Sequence, residues 1–322
     1  MENIDLLKIP TYTNEDWKKA FIKEVGVESY DAMLFEIDGM KFSPYYSSED
    51  IKEYMGSLPK CYNQIRLGEV FDLRNGKLPL QEILSSLKHG YDAPIFLCDG
   101  TLSSDELREI HMDFIQPRFE LYEAESEAMI NALKEQYENV TWNIVRHYNS
   151  SNDSTSSQNF IFEFDTATSI LEFLAALKSK LDQISALNPS DVIIRIKLSG
   201  QFVEDLVKSR AIKIFWLNYL SARSLEIKSF LCEITWDLTG DYPNETLFHT
   251  NNVIVATMAQ ADHIVLDLKK ESENSARILR NSVHIALIES NLGKEQDPVA
   301  GSYFIEYVAS ALAEKAWQGE GK

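Results

Sequence analysis

From residue 62 onward the chain alternates short apolar runs of β-forming residues with stretches in which apolar side chains recur every three or four positions. Strand-like runs separated by helix-length segments are the pattern of βαβ units joined into a parallel sheet. The candidate strands are residues 63–72, 93–99, 111–122, 140–147, 159–165, 192–199, 229–236 and 262–268. Eight strands with helices between them predict a closed (β/α)8 TIM barrel over residues 61–322. One helix can be verified by counting. Ser169 and Glu172 make a capping box, after which Ile170, Phe173, Leu174, Leu177, Leu181 and Ile184 form one apolar stripe that should lie on the sheet. The helix from Phe202 to Leu220 is apolar on most faces through Phe215, Trp216 and Leu217, which predicts burial against the barrel, with a subunit contact as the other solution.

Residues 1–60 lack this regularity. An amphipathic stretch, Glu15–Val25, precedes a segment in which Pro44, Tyr45 and Tyr46 break the period, so this part reads as an extended N-terminal arm. An arm without its own core must bury its apolar side chains against something else. The expectation is contact with another subunit, with docking on its own barrel as the other solution. The run Asn149 to Gln158, NSSNDSTSSQ, has almost no apolar residue to offset its ordering entropy, and reads as a mobile spacer loop.

Composition narrows the function. The chain has 322 residues, is 44% hydrophobic and 25% charged, and so has the makings of a globular core. Its net charge of −19 argues against binding a phosphate backbone as its main task. Three widely spaced cysteines, Cys61, Cys98 and Cys232, suggest a reducing cytoplasmic setting rather than a disulfide framework. The start MENIDLLKIP has no basic leader, and no apolar run reaches the ~18 residues of a membrane span. No Gly-x-Gly-x-x-Gly, phosphate-binding Gly-x-x-x-x-Gly-Lys or Gly-x-Ser-x-Gly motif occurs, and the six histidines show no paired-ligand spacing, so no metal site is expected. Polar residues near strand ends (Arg146, His147, Asp165, Arg195, Lys197, Glu233, Asp262 and His263) read as an ion-paired layer inside the barrel before they read as a catalytic set.

The last third carries a specific pattern. SARILRNSVHIALIESNLGKEQDPVAGSYFIEYVASALAEKAWQ, Ser275 to Gln318, contains S-x-R-I-x-R-N, then D-P-x-x-G-S-Y-x-x-E, then A-x-x-x-W. In this it resembles the methylmalonyl-CoA mutase family, through Arg277, Ile278, Arg280, Asn281, Asp297, Pro298, Gly301, Ser302, Tyr303, Glu306 and Ala313 to Trp317. Weaker similarity runs through 192–216, Trp236 to Thr239 and Met258 to Leu266, while KFSPYYSSEDI, 41–51, is the kind of stretch found in family small subunits. The DPVAGSYFIE loop itself reads as structural, an Asp-Pro turn leading onto the last helix.

The resemblance implies a barrel that in active subunits binds acyl-CoA along its axis and faces adenosylcobalamin on a separate flavodoxin-like domain. Such a domain would need roughly 100–150 further residues, and the Asp-x-His-x-x-Gly signature of the cobalt ligand does not occur, so no cobalamin-binding domain is expected here. Aligning Ile65-Arg66 with the family's first strand puts Gly68 where active barrels carry a tyrosine. Counting back from Trp236 puts Phe230 or Leu231 where they carry a histidine, and neither can donate a hydrogen bond to a thioester oxygen. Basic residues that could grip CoA phosphates are scattered, apart from Lys178/Lys180 and Lys269-Lys270.

The resulting expectation is a small, non-catalytic subunit of a heterodimeric methylmalonyl-CoA mutase, inactive alone. Adenosylcobalamin would sit in a large catalytic partner, and the complex, an isomerase, would interconvert methylmalonyl-CoA and succinyl-CoA by radical rearrangement. No catalytic, cofactor or metal residue is expected in this chain; Asn281, near the ligand in the family, is the one substrate-site candidate. Phe230 suggests an axial channel closed by large side chains. The alternative is a catalytic acyl-CoA mutase barrel that uses a separate cobalamin-binding chain.

Overall fold

The computed structural model describes residues 12–319, apart from 52–56, 62–63, 100–106, 108, 124–125, 138–139, 141–142, 147–158, 185, 238–243 and 267–272. His147, the Asn149–Gln158 run and Lys269-Lys270 therefore lie outside the described residues. Eight strands form one parallel sheet: β3 (Arg66–Asp72), β4 (Ile95–Cys98), β5 (Arg118–Leu121), β6 (Asn143–Arg146), β7 (Phe160–Asp165), β8 (Val192–Leu198), β9 (Leu231–Trp236) and β10 (His263–Leu266). β10 pairs with β3, and a parallel bridge from Val145 to Asn159 joins β6 to the entry of β7, so the sheet closes into a barrel.

All eight expected strands are present. The segment 111–122 differs in extent: it begins with a 3-10 turn, Met112–Phe114, and only Arg118–Leu121 pairs, because Pro117 has no N–H to give a ladder.

Strand alternation divides the side chains into two sets. The outward set packs under the helices. On one side Phe71, Phe96, Phe119 and Ile144 stand in register on β3 to β6, with ring centroids 6.0 and 5.1 Å apart, beneath α3 (Leu80–Lys88) and α4 (Ser126–Gln136). On the other side β7 to β10 carry Phe164, Ile194, Ile196, Cys232 and Ile264 against α5 (Ile170–Asp182), α6 (Phe202–Ala222), α7 (Asn244–Met258), α8 (Glu273–His284) and α9 (Tyr303–Gln318). Each such aromatic or aliphatic side chain contributes about 1.5–3 kcal/mol by leaving water.

The two helices read from the sequence behave as expected. Ser169 accepts the Glu172 N–H at the start of α5, and Ile170, Leu174, Leu177 and Leu181 are buried. α6 is buried along most of its length, Phe215 and Trp216 included, because α9 covers the face that points away from the barrel. Its first turn is fixed by Asp205, which accepts the N–H groups of Ser199 (3.2 Å) and Gly200 (2.9 Å) and the hydroxyl of Thr166 (2.5 Å). Gly200 has φ +89°, and a Cβ there would sit 2.4 Å from the Phe248 ring, so only glycine serves.

The arm has two parts. α1 (Asn14–Val25) begins with a Thr13/Asp16 capping box and buries no residue completely, and α2 (Val27–Ala32) buries only Tyr30. Trp17 of α1 stacks on Tyr45 and Phe21, with centroids 4.7 and 5.3 Å away. Next comes a hairpin, β1 (Phe35–Ile37) and β2 (Met40–Phe42), turned by Asp38-Gly39, both at positive φ. This hairpin docks on the chain's own barrel. Asp38 accepts the Ser169 hydroxyl (2.8 Å) and the Leu171 N–H (3.0 Å), placing a carboxylate on the N-terminus of α5, while Ile37 and Phe42 enter the main core. Tyr46 stacks on Tyr307 of α9 at 4.2 Å.

Candidate functional site: the barrel interior

Side chains on the inward face of the strands build a charged layer across the axis. The pairing register sets Glu163, Arg195, Glu233 and His263 side by side on β7, β8, β9 and β10, so one level of the barrel presents four polar groups in a row. Arg195 donates to Glu163 (2.7 Å), to Glu233 (3.2 Å) and, across the barrel, to Glu120 of β5 (3.0 Å). Arg118 of β5 pairs with Glu120 at 2.9 Å and also with Glu233. Arg118, Glu120 and Glu233 are buried, and a charge taken out of water is tolerated only when paired this closely. Burial and the nearby Arg195 guanidinium pull Arg118 down to about 9, which leaves it protonated at neutral pH. His263, 3.5 Å from Glu233, is pushed down to about 4 by burial and then by Arg118, so at neutral pH it is an uncharged imidazole.

Below this layer, toward the strand N-termini, Val145, Ile193 and Leu231 meet with Ile161 in a small apolar cluster. Beside it, a cavity of about 600 Å³ is lined by Val70, Ile95, Leu97, Glu120, Tyr122, Ile161, Glu163 and Arg195, and it reaches past Phe162 to Phe173, Leu177 and Lys180 of α5. A second cavity of about 410 Å³ lies at the N-terminal mouth of the barrel and includes Ile193 and Leu231. The two share no lining residue.

The sequence-derived residues divide accordingly. Arg195, Glu233 and His263 join the interior layer, while Lys197 bridges Asp165 (3.4 Å) and Asp237 (2.7 Å) one level higher, at the rim. Arg146 points outward to Glu127 of α4, and the Asp262 carboxylate accepts the Cys232 N–H at 2.8 Å. Arg118, Glu120 and Glu163 were not singled out from the sequence. The period-two spacing Arg118-x-Glu120 was the available signal, hidden because strand β5 starts later than its apolar pattern suggests.

Phe230 requires a correction. It faces outward, edge-on to Trp216 of α6 at 5.9 Å, so it does not fill the channel; charged side chains do. Leu231 faces inward at the lower level. Asn281 is exposed on α8 and takes no part in the interior layer. His249 receives the indole N–H of Trp236 (3.0 Å) outside the barrel wall. Among the described residues, no three His, Cys, Asp or Glu side chains converge as a metal site, and no helix is long and apolar enough to cross a membrane.

Gly68 faces the interior on β3. A Cβ there would lie 2.8 Å from the Ala93 carbonyl oxygen, closer than two such atoms approach, and the obstacle is backbone that cannot turn aside. Gly68→Ala is expected to cost about 1–3 kcal/mol in urea unfolding. A variant as stable as the parent would mean that this stretch of strand has slack, and that a larger side chain could be housed there.

The segment DPVAGSYFIE is held by Arg210 of α6. Its guanidinium donates to both oxygens of Asp297 (3.1 and 3.0 Å) and both of Glu306 (3.0 and 2.6 Å). Asp297 also accepts the Leu58 N–H of the arm (2.9 Å), and Glu306 the Gly301 N–H (3.2 Å). These motif residues thus join α6, α9 and the arm, as a structural reading of the segment requires.

Comparison with known proteins agrees with the C-terminal pattern. Residues 190–319 match the family model for methylmalonyl-CoA mutase. The chain is 26% identical over 147 residues to the methylmalonyl-CoA mutase small subunit of Porphyromonas gingivalis, covering 40% of this chain and 24% of that one. It is 31% identical over 129 residues to the methylmalonyl-CoA mutase of Rhizobium meliloti, covering 36% of this chain and 18% of that one. It is 48% identical over 46 residues to the enzyme of Cereibacter sphaeroides, covering 14% and 6%. The matched part thus spans a quarter or less of the length of these relatives. Among solved structures, the Mycobacterium tuberculosis protein Rv1207 superposes with a TM-score of 0.39 at 9% identity, over 71% of this chain and 95% of that one, and adds nothing to the barrel seen directly.

Proposed function

We propose that this chain, similar in its C-terminal part to the methylmalonyl-CoA mutase family, is a small, non-catalytic barrel subunit of such a mutase. Its partner would be a large catalytic subunit carrying adenosylcobalamin, and the complex would interconvert methylmalonyl-CoA and succinyl-CoA in the cytoplasm. The observation that carries this reading is the axial layer of Arg118, Arg195, Glu120 and Glu233, which occupies the space an axial acyl-CoA needs. Opening that channel means separating buried ion pairs, and removing one partner of such a pair costs about 3–5 kcal/mol.

Two further features support it. The crowded backbone around Gly68 leaves no room for a side chain at the position that the family's tyrosine would take, and Phe230 and Leu231 offer no donor to a thioester oxygen. The residues present therefore do not fit a catalytic mouth facing cobalamin, and no step of the rearrangement is assigned to them. What the chain offers instead is surface. The subunit contact is proposed for residues 12–33, where Tyr12, Val25, Val27 and Met33 stay exposed on and beside α1 and α2, while the hairpin at 35–42 and Leu58 serve the chain's own barrel.

The test is turnover of methylmalonyl-CoA with adenosylcobalamin by the purified chain, by a co-expressed large subunit, and by the two after size-exclusion chromatography. Activity only where the large subunit is present, with one-to-one co-elution, is the expected result. Turnover by this chain alone, or with only a free cobalamin-binding chain added, would establish instead a catalytic barrel that borrows its cofactor domain.

A further inference from the structure

The turn that follows β3 contains the one Asn-Gly pair of the chain, Asn75-Gly76. Strand β3 ends at Asp72, so this turn stands on the C-terminal rim of the barrel, and Arg74, Asn75, Gly76 and Lys77 are all exposed. The Gly76 N–H donates to the Leu73 carbonyl at 3.1 Å and closes a four-residue turn, with Gly76 at φ +65°. Among the described residues no hydrogen bond holds the Asn75 side-chain amide, which is free to rotate toward the next residue.

The geometry favours a reaction within this pair. The Gly76 backbone nitrogen and the Asn75 side-chain carbonyl carbon close a five-membered ring when they meet, and attack within one molecule has a high effective concentration, so no enzyme is needed. Glycine has no Cβ to block the approach. Its nitrogen is released by opening a single solvent-exposed turn bond, a small net cost. The positive charge of the neighbouring Lys77 favours the anionic nitrogen that attacks.

We propose that Asn75 is a site of spontaneous covalent modification, its amide replaced by a carboxylate through reaction with water. The Gly76 nitrogen gives its proton to hydroxide and bonds to the Asn75 side-chain carbonyl carbon. The bond from that carbon to the side-chain nitrogen breaks, and ammonia leaves with a proton taken from water. Water then opens the cyclic imide. Addition at the side-chain carbonyl gives aspartate, addition at the backbone carbonyl gives isoaspartate, and nothing is oxidised or reduced. Either product puts a carboxylate beside Arg74, whose guanidinium already donates to both Asp72 oxygens at 2.9 Å and lies 4.8 Å from the centre of the Tyr122 ring. The rim thus gains a negative charge next to its Asp72–Arg74 pair as the protein ages. The site is independent of the subunit role and would stand if no mutase complex formed.

The fold supplies an internal reference. Asn281-Ser282 also presents an exposed asparagine, but inside α8 the Ser282 N–H belongs to the helical ladder, and the ring closes there only if that turn of helix unwinds. Incubation of the full chain in mildly alkaline buffer, followed by ion-exchange separation and peptide mapping by mass spectrometry, tests the difference. Aspartate plus isoaspartate at position 75 is expected to accumulate at least about tenfold faster than at position 281. The rate should rise with pH, because the attacking species is the deprotonated nitrogen. Asn75→Gln, whose longer side chain must close a six-membered ring, should keep its original charge through the same incubation. An unchanged position 75, or conversion no faster than at position 281, in a chain with unaltered circular dichroism would overturn the proposal. Aspartate without isoaspartate, or equal conversion of Asn75→Gln, would show direct hydrolysis and overturn the cyclic route.

Discussion

Arg210→Met is expected to lose about 3–5 kcal/mol of folding stability. The guanidinium is 3% exposed, Asp297 0% and Glu306 4%, so removing the cation leaves two carboxylates buried and facing each other. Methionine fills similar volume, and the loss is therefore electrostatic, not a cavity effect. Adding Asp297→Asn and Glu306→Gln to the same chain should restore most of the stability, because neutral amides can still accept the Leu58 and Gly301 N–H groups without carrying charge. Urea unfolding of the parent, the single variant and the triple variant checks both steps. A single variant within about 1 kcal/mol of the parent would show that water reaches this site and screens it.

The second large effect is acid lability arising at His263. Its imidazole has a pKa near 4 in the folded barrel, because burial and Arg118 both oppose a positive charge, whereas an unfolded chain restores the ordinary value of about 6.5. Between those values the unfolded state binds the extra proton, so stability falls as the pH drops. The contribution is fully present above about pH 6.5 and is lost progressively toward pH 4, and the 2.5-unit gap corresponds to about 3 kcal/mol. His263→Gln cannot take up that proton. Its unfolding free energy between pH 7 and pH 4 should therefore drop by about 3 kcal/mol less than the parent's, the carboxylates being common to both. Parallel pH profiles for the two proteins would mean that His263 is protonated in the folded barrel at little cost, and that the Glu233 side of the layer dominates over Arg118.

Both effects come from groups that the sequence displays but does not connect. Arg210 sits in the middle of α6 among other charged residues such as Lys208 and Lys213, where its position alone gives no hint of Asp297 and Glu306, which lie nearly a hundred residues further on. His263 reads as one polar residue at a strand start. Its pKa depends on Arg118 from the opposite side of the barrel, which no local pattern reveals. The Asp38-Gly39 hairpin was legible in principle, since Asp-Gly between alternating apolar residues is a turn signal. It was obscured by the irregular sequence around it, and only its docking on Ser169 and Leu171 shows why an acidic turn residue belongs there.

The sequence by itself determined the barrel. Strand and helix periods are local, the eight alternations leave few ways to bury their apolar faces, and the motif from Ser275 to Gln318 carries its family likeness in fixed spacings. The tertiary structure alone decided what fills the axis. Inward side chains meet through strand register and across the barrel diameter, so whether Arg118, Glu120, Arg195 and Glu233 form a closed layer or line an open channel depends on contacts between strands far apart in the chain. Periodicity shows which residues point inward; the closure of the barrel sets which of them come within a few ångströms, where burial makes their pairing obligatory.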